Sequence, residues 1–215
     1  AKAAKKAGRI AAMGLVKTAV AADEKAAAIV EVNSETDFVA KNDEFVGFVE
    51  TLAQMALEND AADMEAFMAL PYGEEGTVQE VLTSKIATIG ENMSIRRFEK
   101  VAGETVVSYI HGGRIGAIVA GNVEATEEVK TALTNIAMQV AAMNPVSLCE
   151  ADVPEDIKAS EFKVAAEKAR EEGKPENMVE KIAMGRMNKF YKEACLLNQE
   201  FIQDSKLSVA QYLQQ

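Results

Sequence analysis

The sequence predicts an α+β fold: two similar subdomains, each a small antiparallel sheet with helices on one face, followed by an antiparallel helical hairpin. Three observations predict it. Apolar, strand-length runs closed by short polar or Gly-rich turns occur near the start of the chain and again near its middle. Each set is followed by a long segment whose apolar residues recur at spacings of three and four, the period of an amphipathic helix. The last third carries two charged helical segments joined by Gly173-Lys174-Pro175. Strand, hairpin, strand and helix therefore occur twice at low identity, and a sheet covered by helices on one face is how such segments share an apolar layer.

Taken in order, Ile10 to Val20 is an Ala- and Val-rich strand that leads into the turn Ala21-Ala22-Asp23-Glu24-Lys25. Ala27 to Asn33 returns as a largely buried strand, so the two pair as a hairpin. The first long helix spans Asp43 to Glu58, with Phe45, Phe48, Val49, Leu52, Met55 and Ala56 on one stripe. An acidic connection follows, and Pro71-Tyr72-Gly73 marks a loop within it. Val78 to Ile89 is the next helix, ended by Gly90, the residue that accepts a left-handed backbone without penalty.

Three strands come next: Ile95 to Val101, Thr105 to His111 and Arg114 to Gly121, the last two joined at Gly112-Gly113. Thr126 caps a helix over Glu127 to Met143, and Glu127 and Glu128 complement its N-terminal dipole. A charged helix runs from Pro154 to Glu172 and stops at Gly173. Pro175 opens the last helix, at the turn where its missing amide is harmless, and that helix continues to about Leu197. Two helices alone bury little apolar surface, so this hairpin either packs on the body or projects as an arm. The expected organisation is a lead-in over 1–8, a first subdomain over 9–92 and a second over 93–152. The hairpin, 153–198, is inserted in the second subdomain, and 199–215 returns to it.

Composition limits the function. In 215 residues, 48% are apolar, enough for a core without disulfides or metal. The net charge of −11 repels phosphate backbones and anionic lipid, which argues against nucleic acid or membrane as direct partners. The charge is uneven: Lys2, Lys5, Lys6, Arg9 and Lys17 all precede Asp23, the first acidic residue. That basic patch suits an acidic spot on a partner protein, or is simply a solvated face. Cys149 and Cys195 lack metal-site spacing and read as two reduced thiols, with a single disulfide as the alternative. No apolar run reaches the ~18 residues of a membrane span, and no signal peptide is evident, so a cytoplasmic location is expected. The chain does not begin with Met, which is expected of a fragment or a processed form.

Catalytic parts are scarce. His111 is the only histidine, no Ser or Cys occupies a nucleophile elbow, and the carboxylates are scattered over helix surfaces. Gly112-Gly113-Arg114-Ile115-Gly116 lacks the lysine and hydroxyl of a phosphate loop. The expectation is a protein that is not an enzyme and has no cofactor and no metal.

The segment Ser34-Glu35-Thr36-Asp37-Phe38-Val39-Ala40-Lys41 stands between a strand and a helix. Ser34 or Thr36 can cap the helix, Asp37 can complete a shortened capping box, and Phe38 can fold back as a hydrophobic staple. The other reading is an exposed aromatic beside a charge, the make-up of an interaction wedge.

The run Glu31-Val32-Asn33-Ser34-Glu35-Thr36-Asp37-Phe38-Val39-Ala40-Lys41 resembles the signature of the bacterial translation elongation factor Ts family. The resemblance recurs, in the family's order, at Lys2 to Gly8, at Ile89-Gly90-Glu91-Asn92-Met93-Ser94-Ile95-Arg96-Arg97, and at Ser108 to Gly116. It implies a guanine nucleotide exchange factor whose partner is the GTPase elongation factor Tu, and it favours a projecting coiled coil for the hairpin. It further implies that Asp37 and Phe38 intrude into the GTPase's nucleotide-binding domain near the magnesium site, and that Thr36 and Val39 of the same motif belong to the partner-binding surface. Lys6 is implied to contact the same domain, Ile89 to add an apolar contact, and His111 to meet the third domain. On their own, Ile89 also reads as core, His111 as the polar edge of a turn and Lys6 as solvated.

The resemblance makes residues 1–8 the linker from a ubiquitin-associated-like N-terminal domain, which this chain lacks, along with a final C-terminal segment. Weaker partner binding is expected without them. A homodimer or a two-to-two complex with the GTPase is compatible with the resemblance. Two other hypotheses stand beside it: a helical-hairpin adaptor without exchange activity, and an α+β enzyme built on His111.

Overall fold

Met13–Val20 (β1) and Ala26–Ser34 (β2) form the expected hairpin in the computed structural model, which describes residues 1–215. Their register runs from Met13 opposite Ser34 to Val20 opposite Ala27. A third strand, Met93–Ala102 (β3), lies along the other edge of β2, and the sheet order is β1-β2-β3. Residues 95–101 thus join the first sheet, whereas the sequence grouped them with the hairpin that follows. The reason is the shared apolar alternation: Val32 faces Ile95 and Val30 faces Phe98 across the ladder, so β3 widens the buried face that β2 already presents.

The core of this unit, Ala1–Ala141, lies on that face. Asp43–Glu58 (α2, after the short Asp37–Ala40 helix, α1) packs across β1 and β2. Its Phe45, Phe48, Val49 and Leu52 bury against Ala28, Val30 and Val32. The Asn42 side chain caps α2 by accepting from the Glu44 and Phe45 amides. Met64–Met68 (α3) inserts Phe67, which stacks on Phe98 with ring centroids 4.7 Å apart. This helix falls in the stretch that read as connection, because five residues are too few to display a period. Val78–Ile89 (α4) has the predicted bounds, with Thr77 as its cap and Gly90 in the left-handed region at φ +92°.

Thr105–His111 (β4) and Ile115–Gly121 (β5) form a second hairpin. It covers the sheet face opposite α2. Gly116 makes this close approach feasible: a Cβ there would stand 2.7 Å from Val16 and 2.8 Å from Ile29. The Val16 amide donates to the Gly113 carbonyl at 2.9 Å, fixing the hairpin tip to β1. Glu127–Met143 (α5) starts as expected, with the Thr126 hydroxyl accepting from Val129, and Lys130 pairs with Glu24 at 2.8 Å.

The second unit, Ala142–Gln215, is built on Glu155–Glu171 (α6) and Glu176–Ala194 (α7), the predicted helix pair around Gly173-Lys174-Pro175. Their seam uses small residues, Ala165, Ala166 and Ala169 against Val179 and Ala183, which lets the backbones approach closely. Arg170 grips Glu176 with Nε and Nη2 at 3.0–3.2 Å, and Arg186 donates to Glu172 at 2.7 Å. Helix α7 ends at Ala194 because Cys195 is extended and bridges to Ser147. Both cysteines are free thiols. Two short strands follow, Glu200–Phe201 (β6) and Asp204–Ser208 (β7). The last helix, Val209–Leu213 (α8), opens with a Ser208–Gln211 capping box, and Tyr212 stacks on Phe201 at 4.1 Å. No helix is long and apolar enough to cross a membrane.

Candidate functional site

The turn after β2 is built from the inside out. Ser34, the last residue of the strand, is fully buried, and its hydroxyl donates to the Thr36 carbonyl at 2.9 Å. Thr36 is extended and is the cap of α1; its hydroxyl accepts from the Val39 amide at 3.4 Å. Ser34 is not the cap. Asp37 does not close a capping box either, since its carboxylate lies 3.3 Å from Lys41 Nζ. Val39 turns inward against the core and Ala40 is buried. Phe38 goes the other way. It is 82% exposed, so the staple reading fails for this ring. Leaving a phenyl side chain in water forgoes roughly 1.5–3 kcal/mol of burial. Here that exposed ring sits on a helical turn whose other apolar side chains are anchored.

A reciprocal clamp holds the turn. The Thr36 amide donates to Glu91 Oε2 at 2.9 Å, and the Thr36 hydroxyl donates to Glu91 Oε1. In return, the Asn92 amide donates to Glu35 Oε1 at 2.6 Å. The Asn92 side chain donates to the Arg9 carbonyl at 2.7 Å, and the Arg9 guanidinium stands 3.6 Å from Glu35. Three segments remote in sequence therefore meet at one corner: 9, 35–36 and 91–92. The left-handed Gly90 is what turns Glu91 and Asn92 back toward the β2 loop.

The predicted residues fall into this frame unequally. Thr36, Asp37, Phe38 and Val39 are in the clamped turn. Ile89 is two residues before Glu91 and partly buried against the same core. Lys6 closes a short 3-10 helix over Ala4–Lys6, and its carbonyl accepts from the Arg9 amide at 3.0 Å. His111 lies elsewhere, exposed at the end of β4, with Nδ1 3.1 Å from the Tyr109 hydroxyl. None of the clamp's hydrogen bonds reaches it. The sequence places Arg9 only in the basic patch and assigns no site role to Glu35, Glu91 or Asn92. The last three lie inside the motif runs, but their roles depend on contacts between residues more than fifty positions apart.

Glu31 forms a second charged cluster on the sheet face opposite α2. Its side chain, 15% exposed, receives Arg97 Nε at 2.7 Å, Arg96 Nη1 at 3.2 Å and Asn33 Nδ2 at 3.0 Å. A register shift between Glu31 and Val32 leaves Arg96 without a partner in the ladder, which brings both arginines to one carboxylate. Burial disfavours the charged form, but the hydrogen bonds from Asn33, Arg97 and Arg96 outweigh it and hold the carboxyl below its ordinary range. No group of three or more His, Cys, Asp or Glu side chains could hold a metal ion. The clamped corner offers no bond-making constellation. It offers a rigidly mounted aromatic beside a carboxylate.

The sequence model of the family described as "Elongation factor TS" matches residues 35–215. The chain belongs to the elongation factor Ts family. The match begins at Glu35, in the clamp itself. Among its relatives, elongation factor Ts of Thiobacillus denitrificans is 50% identical over 213 residues, covering 99% of this chain and 71% of the relative. Elongation factor Ts of Clostridium perfringens is 47% identical over 219 residues, covering 100% and 72%. That of Psychrobacter arcticus is 44% identical over 213 residues, covering 99% and 70%. Membership in the elongation factor Ts family gives the chain a role in translation elongation, within protein biosynthesis.

Proposed function

We propose that this chain is a guanine nucleotide exchange factor, not an enzyme, that promotes GDP release from elongation factor Tu in the cytoplasm. The single observation that carries the reading is Phe38, an exposed ring on a clamped turn next to Asp37. A GTPase holds its nucleotide through phosphate-loop amides, a lysine and a bridging magnesium ion. A protein that binds the empty form more tightly than the loaded form lowers nucleotide affinity by the same factor. Each tenfold of faster release needs about 1.4 kcal/mol. A ring pressed between close-packed side chains supplies this by forcing a discrete shift, because packed interiors do not deform gradually. In this reading Asp37 and Phe38 act near the magnesium and nucleotide site, with Thr36 and Val39 setting their geometry. Lys6, Ile89 and His111 add contacts to the GTPase.

The test is the release of fluorescent GDP from elongation factor Tu with and without the protein. Acceleration that grows with protein concentration and saturates is expected. No acceleration at any protein concentration would sink the reading. Analytical ultracentrifugation of the mixture separates a one-to-one from a two-to-two complex.

A second reading rests on α6–α7, which leaves Val164, Met178 and Met184 exposed. Here the pair is an arm that assembles other proteins without acting on nucleotide. Deleting 155–194 then abolishes partner binding; binding that survives the deletion counts against it.

A further inference from the structure

We infer that Glu91 is a positioning residue for the Phe38 wedge, and that Glu35 returns the same support from the opposite side. The inference rests on the exchange reading and extends it to a residue whose hydrogen bonds go to Thr36, not to Phe38 or Asp37. Helix α1 has only four residues, far below the length at which a helix is stable by itself, so its geometry must be imposed from outside. Glu91 imposes it at the first turn. One carboxylate oxygen takes the Thr36 amide and the other takes the Thr36 hydroxyl proton. With its proton committed to Glu91, the hydroxyl presents a lone pair to the Val39 amide, which is the cap of α1. The line from Glu91 to Thr36 to Val39 therefore fixes the turn on which Phe38 rides.

Glu35 completes the pairing by taking the Asn92 amide, so each carboxylate holds the backbone that carries the other. Bonds of an ionised carboxylate to N–H and O–H donors are the short, strong class. Arg9 adds a second strap to Glu35, and Asn92 holds the Arg9 carbonyl. The apolar core beneath is continuous without these groups: Phe45, Leu52, Val30 and Val32 bury against one another and take no part in the clamp. The clamp accordingly serves the direction of one ring more than the survival of the fold. A wedge displaces a packed neighbour only if its own mounting does not yield, which is the requirement for any pre-organised site.

The experiment is a double-mutant cycle on the whole chain, read as GDP release from elongation factor Tu over a range of factor concentrations. Glu91→Ala is expected to lower the saturating release rate about 10-fold while changing the half-saturating concentration less than about 3-fold. In a Phe38→Ala background the same substitution should add less than about 2-fold, because the mounting has nothing left to aim. Glu91→Gln keeps one acceptor oxygen and should recover part of the rate. Amide hydrogen exchange of the free protein supplies a readout independent of the GTPase: Thr36 and Val39 should exchange faster in Glu91→Ala, with the α2 amides unchanged.

Effects of Glu91→Ala and Phe38→Ala that simply multiply would overturn the positioning role. So would a normal release rate in Glu91→Ala when Phe38→Ala is slow. If Phe38→Ala itself releases GDP at the full rate, the wedge reading fails and the inference falls with it. If Glu91→Ala loses protection throughout α2 as well, the residue supports the fold at large and the inference is rejected.

Discussion

Asp37, the first residue of α1, and Lys41, which caps its end, stand one helical turn apart, with Lys41 Nζ 3.3 Å from Asp37 Oδ2. Both side chains are open to solvent, so the pair is worth only about 0.3–0.5 kcal/mol. The Asp37 carboxylate is thus occupied in the free protein but cheaply released to a cation or donor on a partner. Lys41→Ala should leave the unfolding free energy within about 0.5 kcal/mol and should not slow GDP release. Asp37→Ala should slow release, without loss of stability. Stopped-flow release beside urea unfolding checks both; a Lys41→Ala variant as slow as Asp37→Ala would mean that the pair itself, not the free carboxylate, is the functional unit.

Phe38→Ala separates function from folding. The ring is 82% exposed, so its removal leaves no cavity, and stability should stay within about 0.5 kcal/mol of the parent. Saturating GDP release should fall at least about 10-fold, since the lost contacts are those made during release. Phe45→Ala is the contrasting control. Its ring is fully buried and its loss should cost about 3–5 kcal/mol. Calorimetry and release assays on the two variants give the comparison.

Glu31 makes the fold sensitive to acid. Its carboxyl is held below the ordinary range by Asn33, Arg97 and Arg96 against the opposing effect of burial. A depressed folded-state value means that the stabilisation is full above the unfolded pKa of about 4.3. It is lost as pH falls through the lower, folded value. Glu31→Gln should therefore cost about 1 kcal/mol at pH 7, discounted for the exposure of both guanidinium groups, and markedly less near pH 3. Denaturant unfolding at the two pH values measures the difference. An equal cost at both would show that packing, not charge, is what the glutamate contributes.

Gly116→Ala tests the contact between the two sheets. The added methyl would press on Val16 and Ile29 at 2.7 and 2.8 Å, and overpacking of this kind typically costs about 1–3 kcal/mol. Ile29→Val in the same chain should recover part of the loss by making room. Thermal unfolding of the single and double variants reads this directly, and a double variant that loses as much as the sum of the two single losses, or more, would refute the steric account.

Much of the secondary structure was determined by the sequence alone. The bounds Asp43–Glu58, Val78–Ile89 and Glu127–Met143 are legible because an apolar period, a capping side chain and a stop at Gly90 are local signals. The helix pair around Gly173 and Pro175 is legible for the same reason. Helix α3 is not, being shorter than the period that would reveal it. Nor is the place of β3, which could not be read from its own residues because strand partners are chosen by the apolar face they extend. The site divides likewise. Sequence singled out Asp37 and Phe38 but left Phe38 open between a staple and a wedge, and Ser34 open against Thr36 as the cap. Only the tertiary structure decided that the Phe38 ring is exposed and not stapled, and that Thr36 is the cap. The carboxylate that fixes the Thr36 hydroxyl comes from Glu91, 55 residues away, delivered by a left-handed turn at Gly90. Capping chemistry is written within a few residues, whereas the direction of an exposed ring is set by whatever distant backbone holds its turn.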